Sequence, residues 1–406
     1  MIFRKRHPIT MKLFRVFLDK KFEGTFINKV YQKGDTIHAN IHLPEHKDCS
    51  DLEKLLPNLK EELGATAVKL GRKGGKNIEI LFGMRELHDV DFEESLLHPD
   101  SLKVEFPSAY GKHILDFEDG ASCHMLNGGV TRMGKTCLLL FIATTIFVQN
   151  KGNMKLYVSS AKLKDYYPFE NIPQVRMEKD HAGMILMLDE LIQEYKKRND
   201  LLYSPRFRKA TDAKSIRKLY PDAYHLFKPI FLIIDEYARF ANSRPIQDMV
   251  TEIVETAGFV NIHVIIASQR PDASSVLKPR IRANLLTRLA FTTTDRKNSE
   301  IILDQEGAEK LGRIAGRAIL IDSDSHTVQV PYLDVLECDK LLEGYRNEQV
   351  EKRQNDNVVT DQIQSLQPES TSLSDMQGQQ QPDKCGEQST KTYDTQWLYH
   401  TDSKGT

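Results

Sequence analysis

Apolar and polar residues alternate through Leu13-Phe14-Arg15-Val16-Phe17 and again from Thr36 to Leu43, a period of two that predicts strands. From Leu52 to Leu63 the leucines recur at helical spacing, with Pro57 expected to kink or end that helix. Val68 to Leu70 and Ile78 to Phe82 return to strand character around a turn at Lys73-Gly-Gly-Lys76. These elements predict a small α/β module over residues 12–110, with a boundary near 105 to 118. A basic segment, residues 1–11, precedes it with Arg4, Lys5 and Arg6.

Further along, short apolar runs alternate with helical stretches. The runs are Cys123 to Leu126, Leu156 to Ser159, Ile230 to Ile234, His263 to Ala267, Thr287 to Phe291 and Ala318 to Ile321. This rhythm predicts an α/β domain over residues 111–345, with a mostly parallel central sheet and helices on both faces. After Tyr345 the composition shifts to Gln, Asn, Ser, Thr, Asp and Glu, so residues 346–406 are expected to be a disordered polar tail. The sole tryptophan, Trp397, lies there beside Tyr393, Leu398 and Tyr399, and reads either as a short docking motif or as untethered tail.

Bulk properties narrow the picture. A chain of 406 residues that is 40% hydrophobic can build one large core or two domains, which excludes a wholly disordered protein. The formal net charge is −1, so any nucleic-acid surface must be a local concentration of cations. Lys12, Arg15, Asp19, Lys20 and Lys21 interrupt any signal-peptide core, and the run Leu138 to Val148 falls short of the ~20 residues that span a bilayer. A membrane role is therefore expected only at the periphery, through a partner. Cys49, Cys123, Cys137, Cys338 and Cys385 lack metal-site spacing and read as reduced cytoplasmic thiols.

The chemistry concentrates in Gly129-Val-Thr-Arg-Met-Gly-Lys-Thr136, which fits G-x-x-x-x-G-K-[ST] between a strand and a helix. In such a loop the backbone amides cradle phosphates, so Gly129, Val130, Thr131, Arg132, Met133, Gly134, Lys135, Thr136 and Cys137 are candidate ATP contacts. Lys135 would reach the terminal phosphates, and the Thr136 hydroxyl would hold Mg²⁺. Phe231-Leu-Ile-Ile-Asp-Glu236 is a buried strand ending in two carboxylates, with Asp235 the candidate for Mg²⁺ and Glu236 for polarising the attacking water. A solvated strand end is the plainer reading. A third strand, from His263, ends at Gln269, whose amide suits sensing of γ-phosphate and water. All three strand ends are expected at the carboxyl edge of the sheet.

Three stretches, Asn261-Ile-His-Val-Ile-Ile-Ala-Ser-Gln-Arg-Pro-Asp272, Ile281 to Phe291, and Ile301 to Glu309 with Leu311-Gly312, together resemble the FtsK/SpoIIIE DNA translocases of the FtsK–HerA superfamily. Asn171-Ile-Pro173 after Ala161-Lys162, and the helix running into Tyr195-Lys-Lys-Arg198, follow the same order, so the resemblance covers roughly residues 30 to 335. It implies a RecA-like P-loop ATPase, usually a hexameric ring, that uses ATP and Mg²⁺ to pull double-stranded DNA through a pore. In it, the loop residues above, Asp235 with Glu236, and Gln269 take the phosphate, Walker B and sensor roles. The N-terminal module resembles the family's accessory ring.

Departures are visible. Val130-Thr-Arg-Met133 replaces the usual small loop centre, and Glu300 stands where relatives often carry a basic residue. Arg288, then Arg282, are the substitute candidates for a cation reaching a neighbouring subunit, against the plainer reading of a salt-bridged arginine. Lys196, Lys197, Arg198, Arg206, Arg208 and Lys209, with Lys214, Arg217 and Lys218 behind them, are the candidate DNA contacts; a solvated helix face is the plain alternative. The resemblance favours an ATP-dependent double-stranded DNA translocase of a mobile element, acting for instance in conjugative transfer. A protein-export ATPase of the same superfamily and a weakly hydrolysing nucleotide-dependent adaptor are the alternatives.

Overall fold

A computed structural model describes residues 8–120, 122–268 and 277–346. Gln269, the polar tail from residue 347 with Cys385 and Trp397, and the basic residues Arg4, Lys5 and Arg6 lie outside the described residues.

The N-terminal part opens with helix α1 (Pro8–Asp19), followed by strands β1 (Phe26–Lys33) and β2 (Thr36–His42), helix α2 (Cys49–Leu63), and strands β3 (Ala67–Gly74) and β4 (Asn77–Gly83). The four strands form an antiparallel sheet in the order β1-β2-β4-β3. Leu13 to Phe17 is helical, which corrects the strand expected there: Leu13, Val16 and Phe17, one helical turn apart, are the residues that bury. They pack with Leu52, Leu55 and Leu59 of α2 against Ile37, Ala39, Ile41, Ile78, Ile80 and Phe82 of the sheet. Helix α2 continues through Pro57, which lies on its exposed face. An Asp48/Asp51 capping box starts that helix and Gly64, in the left-handed conformation, ends it.

The larger sheet has ten strands. They are β5 (Lys103–Ser108), β6 (Gly111–Asp116), β7 (His124–Gly128), β8 (Lys155–Ser160), β9 (Val175–Glu178), β10 (Ile230–Asp235), β11 (Ile262–Ser268), β12 (Thr287–Phe291), β13 (Arg317–Ile321) and β14 (Ser325–Gln329). Their order is β6-β5-β14-β13-β12-β7-β11-β10-β8-β9, parallel from β12 to β9 and antiparallel from β12 to β6. The six expected runs are all strands here. The hairpin β5–β6 also belongs to this sheet, so it begins upstream of the expected boundary.

Successive residues of the central strands point to opposite faces, and each face has its own core. On one side Met125, Phe231, Ile233 and Ile265 meet helix α3 (Lys135–Gln149). On the other side Leu126, Leu232, Ile234, Val264 and Ile266 meet helices α4 (His181–Leu202), α5 (Ala213–Leu219) and α6 (Arg244–Thr256). Three short helices follow: α7 (Pro279–Asn284), α8 (Arg296–Leu303) and α9 (Val335–Leu342), the last packed on α3. The result is an α/β fold of the RecA-like P-loop type with a mostly parallel central sheet. Among the described residues no helix is long and apolar enough to cross a membrane.

Phe141 of α3 is fully buried and meets Phe92 and Phe106 edge-on, with ring centroids 6.2 and 5.7 Å away. Phe141→Ala is expected to lower the unfolding free energy by about 3–5 kcal/mol, read as a shift in the urea midpoint.

Candidate nucleotide site

Strand β7 ends at Gly128, and the chain then turns sharply before α3. Gly129 has φ +137°, and a Cβ there would come within 2.8 Å of the Phe291 Cβ on β12; Gly134, the residue before α3, has φ +113°. Both positions require glycine. Arg132, between them, also adopts a left-handed conformation (φ +66°) although it carries a long side chain. The loop leads directly into the amino end of α3, where unpaired backbone N–H groups and the helix dipole favour an anion.

Val130 to Cys137 line a cavity of about 860 Å³, and Lys162 and Arg313 close it. Lys162 follows the end of β8 at the same carboxyl edge, a position that the parallel order of the strands could have flagged. Arg313 sits in the loop before β13, far along the chain, and has no local signal. With Arg132, also in the lining, these residues give a cationic wall suited to a polyphosphate.

Lys135 is 7% exposed, and its Nζ donates to the carbonyls of Gly129 at 2.7 Å and Val130 at 2.8 Å. Burial brings its pKa down to about 8, against the opposing pull of Glu236 and Asp235. Burial likewise pushes the Asp235 carboxyl up, while the Ser160 hydroxyl, donating at 3.3 Å, and Tyr166 and Lys135 hold it down. The strand register sets Asp235 level with Ser160 of β8 and Ala267 of β11. Glu236 follows in the left-handed region at φ +72°, a conformation uncommon for a glutamate and frequent where a site dictates the backbone. The Ser268 hydroxyl donates to its Oε1 at 3.5 Å. Lys135, Asp235 and Glu236 thus meet at the carboxyl edge. Thr136 and Cys137 line the same cavity, and Cys137 is kept protonated by burial.

Other expected residues stand elsewhere. Arg288 is 6% exposed; its guanidinium donates to the carbonyls of Leu285, Ile302 and Arg282 and pairs with Asp304. Arg282 pairs with the same Asp304, and Glu300 pairs with Arg296. In the single chain, the guanidinium of Arg288 is thus held by partners of its own chain.

Arg198 is held by its own chain in the same way. It is 4% exposed, bound to Glu194 at 2.8 Å and the Val260 carbonyl at 2.9 Å, so it belongs to the packing of α4 rather than to a phosphate-facing surface. Lys196, Lys197, Arg206, Arg208, Lys209, Lys214 and Lys218 are wholly or partly exposed, while Arg217 is tied to Glu118. This segment lies at the amino edge of the parallel strands. The bond from Arg198 to Val260, just ahead of β11, and those from the Asn261 side chain to Tyr224 and Phe227 fix it there. The cationic segment and the phosphate loop therefore occupy opposite edges of the sheet.

Comparison with known proteins agrees with this architecture. No protein-family model matches the chain. The DNA translocase FtsK of Leptospira interrogans is 28% identical over 235 residues, which is 55% of this chain and 24% of that protein. The DNA translocase FtsK of Listeria monocytogenes is 26% identical over 259 residues, 61% of this chain and 34% of that protein. The chain thus spans a quarter to a third of the length of these relatives. Among solved structures, the pCW3 conjugation coupling protein TcpA, in monomer form with ATPγS, superposes with a TM-score of 0.58 at 18% identity, covering 83% of this chain and 99% of that one. The cytoplasmic domain of the Thermomonospora curvata type VII secretion ATPase EccC gives 0.53 at 17% identity, covering 64% and 33%.

The lowered pKa of Lys135 has a measurable sign. Phosphates bound beside it favour the charged ammonium and raise its pKa from about 8, so protein and nucleotide together take up protons on binding. With Mg²⁺-loaded nucleotide, whose γ-phosphate is already ionised, the uptake at pH 8 is expected to be a fraction of a proton per site and to shrink towards pH 6. Calorimetry in two buffers of different ionisation enthalpy reads this directly; equal heats at pH 8 would count against it.

Proposed function

We propose that the chain, an FtsK/SpoIIIE-like P-loop protein, is an ATPase that moves double-stranded DNA as a ring of identical subunits. One observation carries the reading: the phosphate loop, which lines a cavity of about 860 Å³, holds a buried Lys135 close enough to Asp235 and Glu236, at the end of β10, for their charges to act on it. The loop amides and Lys135 bind the triphosphate, and Lys162, Arg313 and Arg132 add cations to its surroundings. Thr136 and Asp235 are the oxygen donors that would hold Mg²⁺, a hard cation that takes one or two protein oxygens and neutralises phosphate charge. Glu236 accepts a hydrogen bond from the attacking water, and Gln269, one residue beyond β11, adds a sensor amide.

DNA grip is assigned to the cations Lys196, Lys197, Arg206, Arg208 and Lys209, which meet phosphates without reading bases. Support for a setting in conjugative transfer comes from the likeness to a conjugation coupling protein, and a transfer-machinery or membrane partner would recruit the ring. The likeness to a type VII secretion ATPase supports a second reading, a motor for polypeptides.

Three measurements test the proposal. Linear duplex DNA is expected to stimulate ATP turnover at low salt, and Lys135→Ala and Glu236→Gln are each expected to abolish it. No stimulation across a range of duplex lengths would favour the polypeptide motor, and equal turnover in all three proteins would remove the assigned roles. Replacing Arg206, Arg208 and Lys209 by alanine is expected to weaken duplex binding and to flatten its log–log salt slope by about 0.9 for each phosphate no longer neutralised. Sizing Glu236→Gln with ATP and duplex is expected to give a ring; a persistent monomer would refute that assembly.

A further inference from the structure

Away from the nucleotide site, three side chains distant in sequence converge. His113 lies on the edge strand β6, Asp322 opens the turn between β13 and β14, and His326 lies on β14. Strand β5 separates β6 from β14, and the two imidazoles meet with ring centroids 4.1 Å apart. One ligand atom from each of the three residues lies within 4.8 Å of the others, and all three residues are partly buried.

The carboxylate is already oriented. Asp322 Oδ1 accepts from the turn N–H groups of Ser323 at 2.5 Å and Asp324 at 3.3 Å, which leaves Oδ2 facing His113 Nε2 at 2.9 Å. A tetrahedral ion with bonds of about 2.0–2.2 Å keeps its ligand atoms about 3.3–3.5 Å apart. The Asp322–His113 pair would open by about half an ångström to admit such an ion, and the His326 nitrogen would close in. Outer hydrogen bonds that orient a ligating carboxylate are a regular part of metal centres.

We propose that His113, Asp322 and His326 form a three-ligand site for a borderline divalent transition metal of the Zn²⁺ type, separate from the Mg²⁺ of the nucleotide site. Two imidazoles and one carboxylate suit such an ion better than Ca²⁺ or Mg²⁺, which prefer all-oxygen shells. Its place in the fold assigns it a structural task. The same turn carries Asp324, which pairs with Lys69 of β3, so an ion at Asp322 would stiffen the turn that ties the four-stranded sheet to the ten-stranded one. Lys69 disfavours a nearby cation, and its pairing with Asp324 offsets that charge.

The test uses the full-length, untagged, chelator-treated protein. Titration with Co²⁺ is expected to give a visible d–d spectrum saturating at one equivalent, displaced by Zn²⁺, and Zn²⁺ is expected to raise the melting midpoint. Asp322→Asn keeps the turn's acceptor while removing the anionic ligand, and His326→Ala removes an imidazole. Each is expected to weaken Co²⁺ binding by more than the ~10–100-fold typical of outer-shell changes. Lys135→Ala, at the nucleotide site, is expected to keep the spectrum. Absence of a stoichiometric spectrum in the parent protein, or an unchanged one in both ligand variants, would overturn the assignment and leave a hydrogen-bonded His–Asp pair with a neighbouring imidazole.

Discussion

Helix α3 is apolar on every side, and only burial on every side can accommodate it. The sheet covers one flank through Met125, Phe231 and Ile265, while Phe92, Phe106, Cys338 and Leu342 cover another. With the helix fixed along its length, its amino end has one place to be. Phe291 of β12 then presses on Gly129 so closely that no side chain fits there, and the chain between β7 and α3 is left as a loop of defined shape. The anion-binding geometry is thus a by-product of packing: the phosphate loop is positioned by what lies beneath it and beside it.

Charge at the carboxyl edge is arranged against the same background. Burial disfavours the charged forms of both Lys135 and Asp235, and their mutual attraction, with that of Glu236 for the lysine, opposes it. Lys135 meets the cost of burial by donating to two loop carbonyls. A phosphate can accept those same protons, so a bound polyanion could replace the two carbonyls without leaving the ammonium unpaired.

The features legible in the sequence are those that local pattern encodes. Gly129, Gly134, Lys135 and Thr136 stand within eight consecutive residues, and short apolar runs such as Ile230 to Ile234 have few structural options beside a buried strand. Leu13 to Phe17 is ambiguous because five residues fit either period, and packing with α2 decides for the helix. Arg198 and Arg288 look like free cations in sequence. Arg198 has a local charge partner, Glu194, one helical turn before it, but its bond to the Val260 carbonyl and the pairing of Arg288 with Asp304 come from other elements, and only tertiary packing shows both arginines to be buried. Arg313 reaches the cavity by the same long-range route, and His113 and Asp322, which stand 209 positions apart, reach each other by it.

The opposite placement of the phosphate loop and the exposed cations after α4 has a consequence for communication. Strand β10 spans six residues from one edge to the other, about 20 Å of extended chain. The Debye length at physiological salt is about 8 Å, so a change of charge at one edge is screened before it reaches the other through solvent. Any message between them must travel as displacement, through strands whose two buried faces resist deformation. The sheet is then a stiff link between two ends that solvent screens from each other, and shifts in its packing are a signal it can carry.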